Sequence, residues 1–312
     1  MRGADATALD ALHRGGKAAL ARALAGLERE PDSAASLALL NAAHAAPRAR
    51  VIGVTGPPGV GKSSLLGALI GLLRRRGETV GVIAVDPSSK RSGGALLGDR
   101  LRLISDPEDD GLYVRSMAAR DRLGGLAAET MAAMVLMRAL YDVVLIETVG
   151  VGQSETDVAG AADTVVFCVQ PGSGDSLQFM KAGIVEIPHV AVVNKADQGA
   201  AAVRALADLR GALSLGAASG GWEVAILAVS AQTRQGLDEL LVALDRHAAY
   251  LAVEGRLAAA RRVQAELWLR EALLSRFGTQ GLKRAGDLTL AEGESPFDRL
   301  AAVSANLNRK DG

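Results

Sequence analysis

"VIGVTGPPGVGKSSLLGALIGLLRRRG", residues 51–77, decides the fold. A short β-rich apolar run, VIGVT, gives way to a glycine-punctuated loop and then to a helical pattern. "GPPGVGKS" at 56–63 is G-x-x-x-x-G-K-S in the strand–loop–helix setting that a phosphate-binding loop requires. Gly56, Gly59 and Gly61 let the backbone bend around a β-phosphate so that its N–H groups point inward. The following helix N-terminus adds partial positive charge. Lys62 is placed to reach the β- and γ-phosphates, and Ser63 offers a hydroxyl to Mg²⁺. Pro57, Val60 and Ser64 complete the candidate nucleotide-binding residues of the loop. A glycine-rich turn that merely contains Lys-Ser would explain neither the strand nor the helix on its flanks.

Outward from this loop, "TVGVIAV", "GLYVRS", "YDVVLIE", "TVVFCVQ", "HVAVVN" and "EVAILAVS" are further short apolar runs. Helical stretches fall between several of them, at 62–76, 125–140, 201–213 and 236–249. The alternation predicts an α/β fold, a doubly wound and mostly parallel sheet with helices on both faces. Upstream, "ALDALHRGGKAALARALAGLERE" and "SAASLALLNAAHAA" read as amphipathic helices split by the turn-like "EPDS". Downstream, "EGRLAAARRVQAELWLREALLSRF" reads as a long amphipathic helix, followed by a polar tail with a short helix at 296–307. The expected organisation is an N-terminal helical extension at 1–48, a nucleotide-binding domain at 49–250 and a C-terminal helical arm at 251–312.

Two further motifs name the nucleotide. "NKAD" at 194–197 ends the run HVAVVN. The Asp197 carboxylate can accept from both N1–H and the exocyclic amine of guanine, a pair that adenine lacks. Asn194 supports the loop and the O6/N7 edge, and the Lys195 stem can pack on the ring. "SAQTRQG" at 230–236 ends another strand, and Ser230 and Ala231 match a loop that approaches guanine O6 through backbone N–H. Turn and capping chemistry accounts for Asn194 and Asp197 singly. It does not account for their joint occurrence with a phosphate loop and a Ser-Ala loop, so the nucleotide is read as GTP.

Carboxylates near the phosphates are the candidate metal residues. "VVLIETVGVGQSE", 143–155, ends a buried strand on Glu147. Its carboxylate is expected to face Mg²⁺ through water, since Mg²⁺ keeps several waters. Gly150 can donate its N–H to a γ-phosphate, and Gly150 and Gly152 give the segment the freedom of a switch. Asp86 ends the run GVIAVD and is a second candidate for the metal or the attacking water; an Asx turn before Pro87 is the plainer alternative. Asp99 and Arg100, in "SSKRSGGALLGDR", are candidates for the metal and the phosphates, the alternative being a surface ion pair. The catalytic set expected from the sequence is therefore Lys62, Asp86, Asp99 and Glu147, with Ser63 joining the three acids at the metal.

Composition removes other classes. The chain has 312 residues, 49% hydrophobic, enough for a full core, with 35 basic and 35 acidic side chains. That balance gives no electrostatic footprint for nucleic acid. No apolar run reaches bilayer length. Cys168 is the one cysteine, in an apolar strand, and reads as an inert buried thiol. The absence of disulfides and of a leader pattern points to the cytoplasm. The four histidines, His13, His44, His189 and His247, show no metal-ligand spacing.

Taken together, "GPPGVGKSSL", "VDPSS…SGGALLGDR", "RSMAARDRLGGL", "ETVGVGQSE", "PGSGDSLQFMKAGIVEI" and "VNKAD" resemble the MeaB/ArgK family of GTPases, which includes the human cobalamin-A type methylmalonic aciduria protein. The likeness runs from about Leu9 to Phe277. Many members carry a Pro-Phe-Thr-like triplet where this chain has Lys90-Arg91-Ser92. The resemblance implies a slow, Mg²⁺-dependent, partner-stimulated GTP hydrolase with a C-terminal arm that forms a homodimer. It implies a chaperone of an adenosylcobalamin-dependent acyl-CoA mutase, methylmalonyl-CoA mutase by default, that gates cofactor loading and protects the mutase. It makes 172–183 a further switch, with Asp175 and Lys181 as partner contacts beside Gln153 and Glu155. A nickel- or cobalt-delivery GTPase is the alternative, and the lack of Cys and His clusters counts against it. A membrane-associated NTPase is a third reading, against which the acids Glu266 and Glu271 in the basic helix count.

Overall fold

The computed structural model describes residues 2–87, 108–119, 128–148, 158–172, 188–214 and 221–310. At 2–7, 86, 87, 118, 119 and 310 it describes the backbone alone. Eight α-helices lie in the described residues: α1 (Arg2–Arg29), α2 (Ala34–Ala45), α3 (Lys62–Arg75), α4 (Ala128–Leu140), α5 (Ala200–Leu213), α6 (Leu237–Ala252), α7 (Arg256–Arg284) and α8 (Pro296–Lys310). Seven strands accompany them: β1 (Arg50–Thr55), β2 (Val80–Pro87), β3 (Leu112–Ala119), β4 (Val143–Glu147), β5 (Thr164–Val169), β6 (Val190–Val193) and β7 (Ala225–Ala228). Every apolar run expected to be a strand is one.

The strands form one sheet in the order β3-β2-β4-β1-β5-β6-β7, and each described pairing is parallel. This is the doubly wound α/β sheet. Strands buried on both faces need apolar residues at every position rather than at alternate ones. β4, β5 and β6 are buried throughout. The two faces use alternate residues of the same strand. Val166 and Cys168 of β5 join α3 and α6 through Leu65, Leu69, Leu240 and Leu244. Phe167 and Val169 join α5 through Ala202 and Leu209. The chain winds outward from β1 in both directions, so the crevice for a ligand opens at the carboxyl ends of β1 and its neighbours.

The chain divides into two compact units. One comprises 50–126 and 143–257 and contains the sheet. The other gathers 1–49, 127–142 and 258–312, hence α1, α2, α4, α8 and most of α7. In the second unit α2 packs on both α1 and α4. Ser33 caps α2, accepting from Ser36 N at 3.1 Å. Arg48 N and Ala49 N both donate to Arg138 O, at 2.9 and 2.8 Å. The C-terminal part is tied to α2 by Asn41, which donates to Asp298 at 2.6 Å and accepts from Ser295 Oγ at 2.5 Å. The tail that reads as weakly patterned is a helix to Lys310 whose Phe297, Leu300, Val303 and Leu307 are buried. α1 and α7 each bend at a glycine with positive φ, Gly16 and Gly278. Among the described residues no helix is long and apolar enough to cross a membrane.

At the amino ends of β5, β6 and β7 lies an aromatic cluster. The His189 and His247 ring centroids are 4.2 Å apart, with Trp222 at 4.6 Å from His247 and Tyr250 at 6.0 Å. Val165 N donates to His189 Nδ1 at 2.9 Å, and His247 Nδ1 lies 2.8 Å from Thr164 Oγ1. Burial pushes His189 down to about 4, against the pull of Asp163, and burial with the neighbouring His189 pushes His247 down to about 3. Both rings are therefore neutral in the fold and protonate more readily in the unfolded chain. Their contribution is complete above the unfolded value of about 6.5 and is lost as pH falls towards 4. Denaturant titrations should show stability dropping by on the order of 3 kcal/mol between pH 6.5 and pH 4. The drop should be markedly shallower in the His189→Gln/His247→Gln double variant. Equal pH slopes for the two proteins would contradict the assignment.

Candidate functional site

The candidate site is built on strand ends. β1 stops at Thr55, and the chain turns through Gly56, Gly59 and Gly61 with φ of 136°, 80° and 89°. These values are strained for any residue with a side chain. Space forbids one as well. A Cβ on Gly56 would lie 2.1 Å from Cys168 O at the end of β5, and one on Gly61 would lie 2.6 Å from Asn194 Nδ2. The loop is therefore pressed onto the ends of two neighbouring strands. α3 begins directly at Lys62, and no side chain caps it. Pro57 and Val60 are buried within the turn, and Ser64 is exposed on α3.

Lys62 is only 6% exposed. Its Nζ donates to Gly56 O at 2.7 Å and Pro57 O at 3.0 Å. Ser63 Oγ donates to Glu147 Oε1 at 2.6 Å, and Glu147 is 1% exposed. Register explains the meeting: β4 pairs with β1 so that Glu147 lies opposite Val54. Beside it, Thr148 N donates to Val54 O at 3.3 Å, and Thr148 Oγ1 donates to Thr55 Oγ1 at 3.0 Å. Asp86 sits at the same edge, two residues beyond the Ala84–Glu147 pair of β2 and β4. Its side chain lies outside the described residues, as do Asp99, Gly150, Gln153, Glu155, Asp175 and Lys181.

β6 and β7 bring in the second motif. Asn194, 2% exposed, donates from Nδ2 to Val60 O at 2.9 Å and to Gly61 O at 3.3 Å. Its Oδ1 accepts from Ala231 N at 3.4 Å. One side chain thus joins the phosphate-loop backbone to the Ser-Ala loop. Lys195 adopts φ 59°, and its Nζ donates to Gly59 O at 3.0 Å and to Gln170 Oε1. Asp197 is exposed, and its Oδ1 accepts from Ser230 Oγ at 2.5 Å. Ser230 Oγ in turn accepts from Thr233 N at 3.1 Å, which holds the second loop in its turn.

Three members of this assembly are not singled out by the sequence motifs: the Thr55–Thr148 pair, the Cys168 carbonyl and Gln170. A polar residue closing an apolar parallel strand is a signal that Gln170 does carry. Cys168 takes no part as a thiol, since burial pushes it up to about 12. Among the described residues no group of three or more His, Cys, Asp and Glu is arranged to hold a metal ion. Because Asn194 is buried and serves two loops, Asn194→Ala should cost about 2 kcal/mol, the scale of leaving buried polar groups unpaired. The urea midpoint measures this, and an unchanged midpoint would show the bridge to be dispensable.

Comparison with known proteins agrees with this geometry. The family model for the methylmalonyl Co-A mutase-associated GTPase MeaB matches residues 20–282. A Pyrococcus horikoshii protein is 41% identical over 262 residues, 83% of this chain and 82% of its own length. The GTPase ArgK of Escherichia coli is 39% identical over 70% of this chain and 68% of its own. The mouse protein named methylmalonic aciduria type A homolog, mitochondrial, is 37% identical over 73% of this chain and 57% of its own. A crystal structure of an LAO/AO transport system kinase superimposes with a TM-score of 0.67 at 29% identity, covering 99% of both chains. With its phosphate-loop sequence and this match over most of its length, the chain belongs to the MeaB/ArgK family of P-loop GTPases and is a GTP hydrolase.

Proposed function

We propose that the chain is a Mg²⁺-dependent GTPase switch that serves as chaperone to an adenosylcobalamin-dependent acyl-CoA mutase, methylmalonyl-CoA mutase by default. The observation that carries the reading is the junction at Asn194, which ties the phosphate loop to the base-reading loop. Phosphoryl transfer needs positioning and charge stabilisation more than covalent chemistry. The N–H groups of Gly59, Val60 and Gly61 hold the β-phosphate, since Pro57 and Pro58 have none to donate. Lys62, whose ammonium is confined at the loop mouth, donates to the β- and γ-oxygens. A water attacks the γ-phosphorus in line while the bond to the β-bridging oxygen breaks. The Ser63 hydroxyl and Glu147 carboxylate, 2.6 Å apart, are hard oxygen donors of the kind Mg²⁺ takes. Ser63 would hold the ion directly and Glu147 through water, with Asp86 and Asp99 as further candidates. When bound, the ion neutralises charge on the β- and γ-oxygens.

The base reading has a direct test. Asp197 accepts from guanine N1–H and N2–H, and Ser230 Oγ, which donates to Asp197 Oδ1 at 2.5 Å, holds the carboxylate in place. Asp197→Asn should move preference from GDP toward XDP, because the amide can donate to xanthine O2. GDP, ADP and XDP titrations into both proteins check this. Equal ADP and GDP affinity in the unmodified protein would remove the base assignment.

The family description supports this partner, and the cytoplasm is the compartment we assign it. A second copy of the chain is the other partner we assign. Val263, Leu267 and Leu274 of α7 are exposed at 52%, 52% and 44%, and their spacing places them on one helix face. Partner and nucleotide are linked: a mutase that prefers the GTP form must shift nucleotide affinity by the same factor. GTP hydrolysis should accelerate when the purified mutase is added, and Lys181→Ala should weaken that acceleration while leaving GDP affinity nearly intact. No acceleration, together with equal mutase affinity for the GTP-analogue and GDP forms, would refute the switch.

A further inference from the structure

We propose that Gln170 is a positioning residue for nucleotide retention: it fixes the Lys195 ammonium so that the Lys195 stem is held ready for the guanine ring. The inference rests on the reading of 194–197 as the base-binding loop.

Gln170 follows the last residue of β5, the strand whose Cys168 carbonyl already confines Gly56. Its Oε1 accepts from Lys195 Nζ, and the same Nζ donates to Gly59 O at 3.0 Å. The ammonium therefore sits between a strand-end amide and a carbonyl of the phosphate loop. The backbone arranges this meeting. Asn194 N donates to Val169 O at 2.8 Å, which locks the start of the NKAD loop one residue from Gln170. Lys195 takes φ 59°, a left-handed conformation costly for a residue with a side chain, and Ala196 N donates to Val229 O at 2.9 Å just beyond it. The loop thus holds Lys195 in a strained backbone state and points its side chain back across the phosphate loop.

A lysine side chain has four rotatable bonds, and pinning one end costs rotamer entropy. The Gly59 carbonyl anchors the ammonium on one side. Gln170 supplies a second anchor from a rigid strand end. With both in place the methylene stem is preorganised, and the entropy is not lost on binding. Freed from Gln170, the ammonium can leave Gly59 for solvent, since the Lys195 side chain is partly exposed. The consequence falls on nucleotide dissociation, because most affinity differences among variants of one site reside in the off-rate.

Dissociation of fluorescently labelled GDP, chased with unlabelled GDP, is the measurement. The proteins are the unmodified chain, Gln170→Ala, Gln170→Glu, Lys195→Met and the Gln170→Ala/Lys195→Met double variant. Gln170→Ala should release GDP about tenfold faster. Gln170→Glu should restore retention, since a carboxylate still accepts from the ammonium. The double variant should release no faster than Lys195→Met alone, because the two residues act as one unit. A general loosening of the fold would instead give multiplied effects and no rescue by glutamate, which overturns the proposal. So would an off-rate for Gln170→Ala within twofold of the unmodified chain. If the unmodified chain fails to bind labelled GDP at all, it is the base-loop reading that falls, and the two failures are thereby distinguished.

Discussion

The site depends on a single close approach. Gly56 turns directly over the Cys168 carbonyl, where a Cβ would stand 2.1 Å from the oxygen. Nothing larger than hydrogen fits there, and φ of 136° is reserved to glycine. Because β1 lies between β4 and β5, a loop pressed onto the end of β5 is also brought beside Glu147 at the end of β4. Once the loop is so placed, the Val60 and Gly61 carbonyls come within reach of Asn194, one strand further out. Four strand ends, those of β1, β4, β5 and β6, then contribute to one locus. This is the general advantage of a parallel sheet whose winding reverses at a central strand.

That locus holds opposite charges away from water. Lys62 and Glu147 are both almost fully buried, and isolated buried ions are costly. Each is held by groups that come with the fold, two loop carbonyls for the ammonium and the Ser63 hydroxyl for the carboxylate. Losing either set would remove hydrogen bonds from a buried charge, so the geometry is maintained by the penalty for losing it. The arrangement suits a ligand carrying several negative charges and a hard cation. The buried thiol of Cys168, between these charges, is kept protonated by desolvation and contributes through its backbone alone.

Much of this was legible in the sequence because the relevant constraints are local. The glycines of 56–61, the apolar runs of the strands and the residues that end them report directly on backbone conformation and on burial from both faces. The seven strands and the helices that cover them follow from that. What was not legible depends on register and on packing between distant segments. No pattern near Gln170 announces that Lys195 bonds to it, since the contact exists only once β5 and β6 are paired. The helix at 125–140 reads as a crossover between strands, yet α4 packs on α2, because an apolar helix of that length does not declare its neighbours. The tail after Gly278 looks weakly patterned because its buried residues are few, Leu290, Phe297, Leu300, Val303 and Leu307, and spread over a turn and a helix.

The two edges of the sheet are specialised, and the specialisation has an energetic logic. At the carboxyl edge the backbone is bent through positive φ, Lys195 included, and polar side chains are buried against loop carbonyls; both are costs accepted for binding. At the amino edge the contacts are of the stabilising kind. Arg50 bonds both Glu78 and Asp245, at 3.0 and 2.6 Å, and Arg76 joins Asp245 at 2.7 Å. Burial alone would raise the Asp245 carboxyl, but the hydrogen bonds from Arg50 and Arg76 outweigh it and hold the group below its ordinary value. Its contribution is therefore present above the usual carboxylate range and is lost only as pH falls below it. The histidine cluster beside it loses its contribution earlier, on the way from pH 6.5 to pH 4. Acid thus attacks the amino edge in two stages. Substitutions at opposite ends of strands several residues long share no partner, so their effects on stability should add. The strain of the carboxyl edge is offset by an edge whose interactions are separate from it.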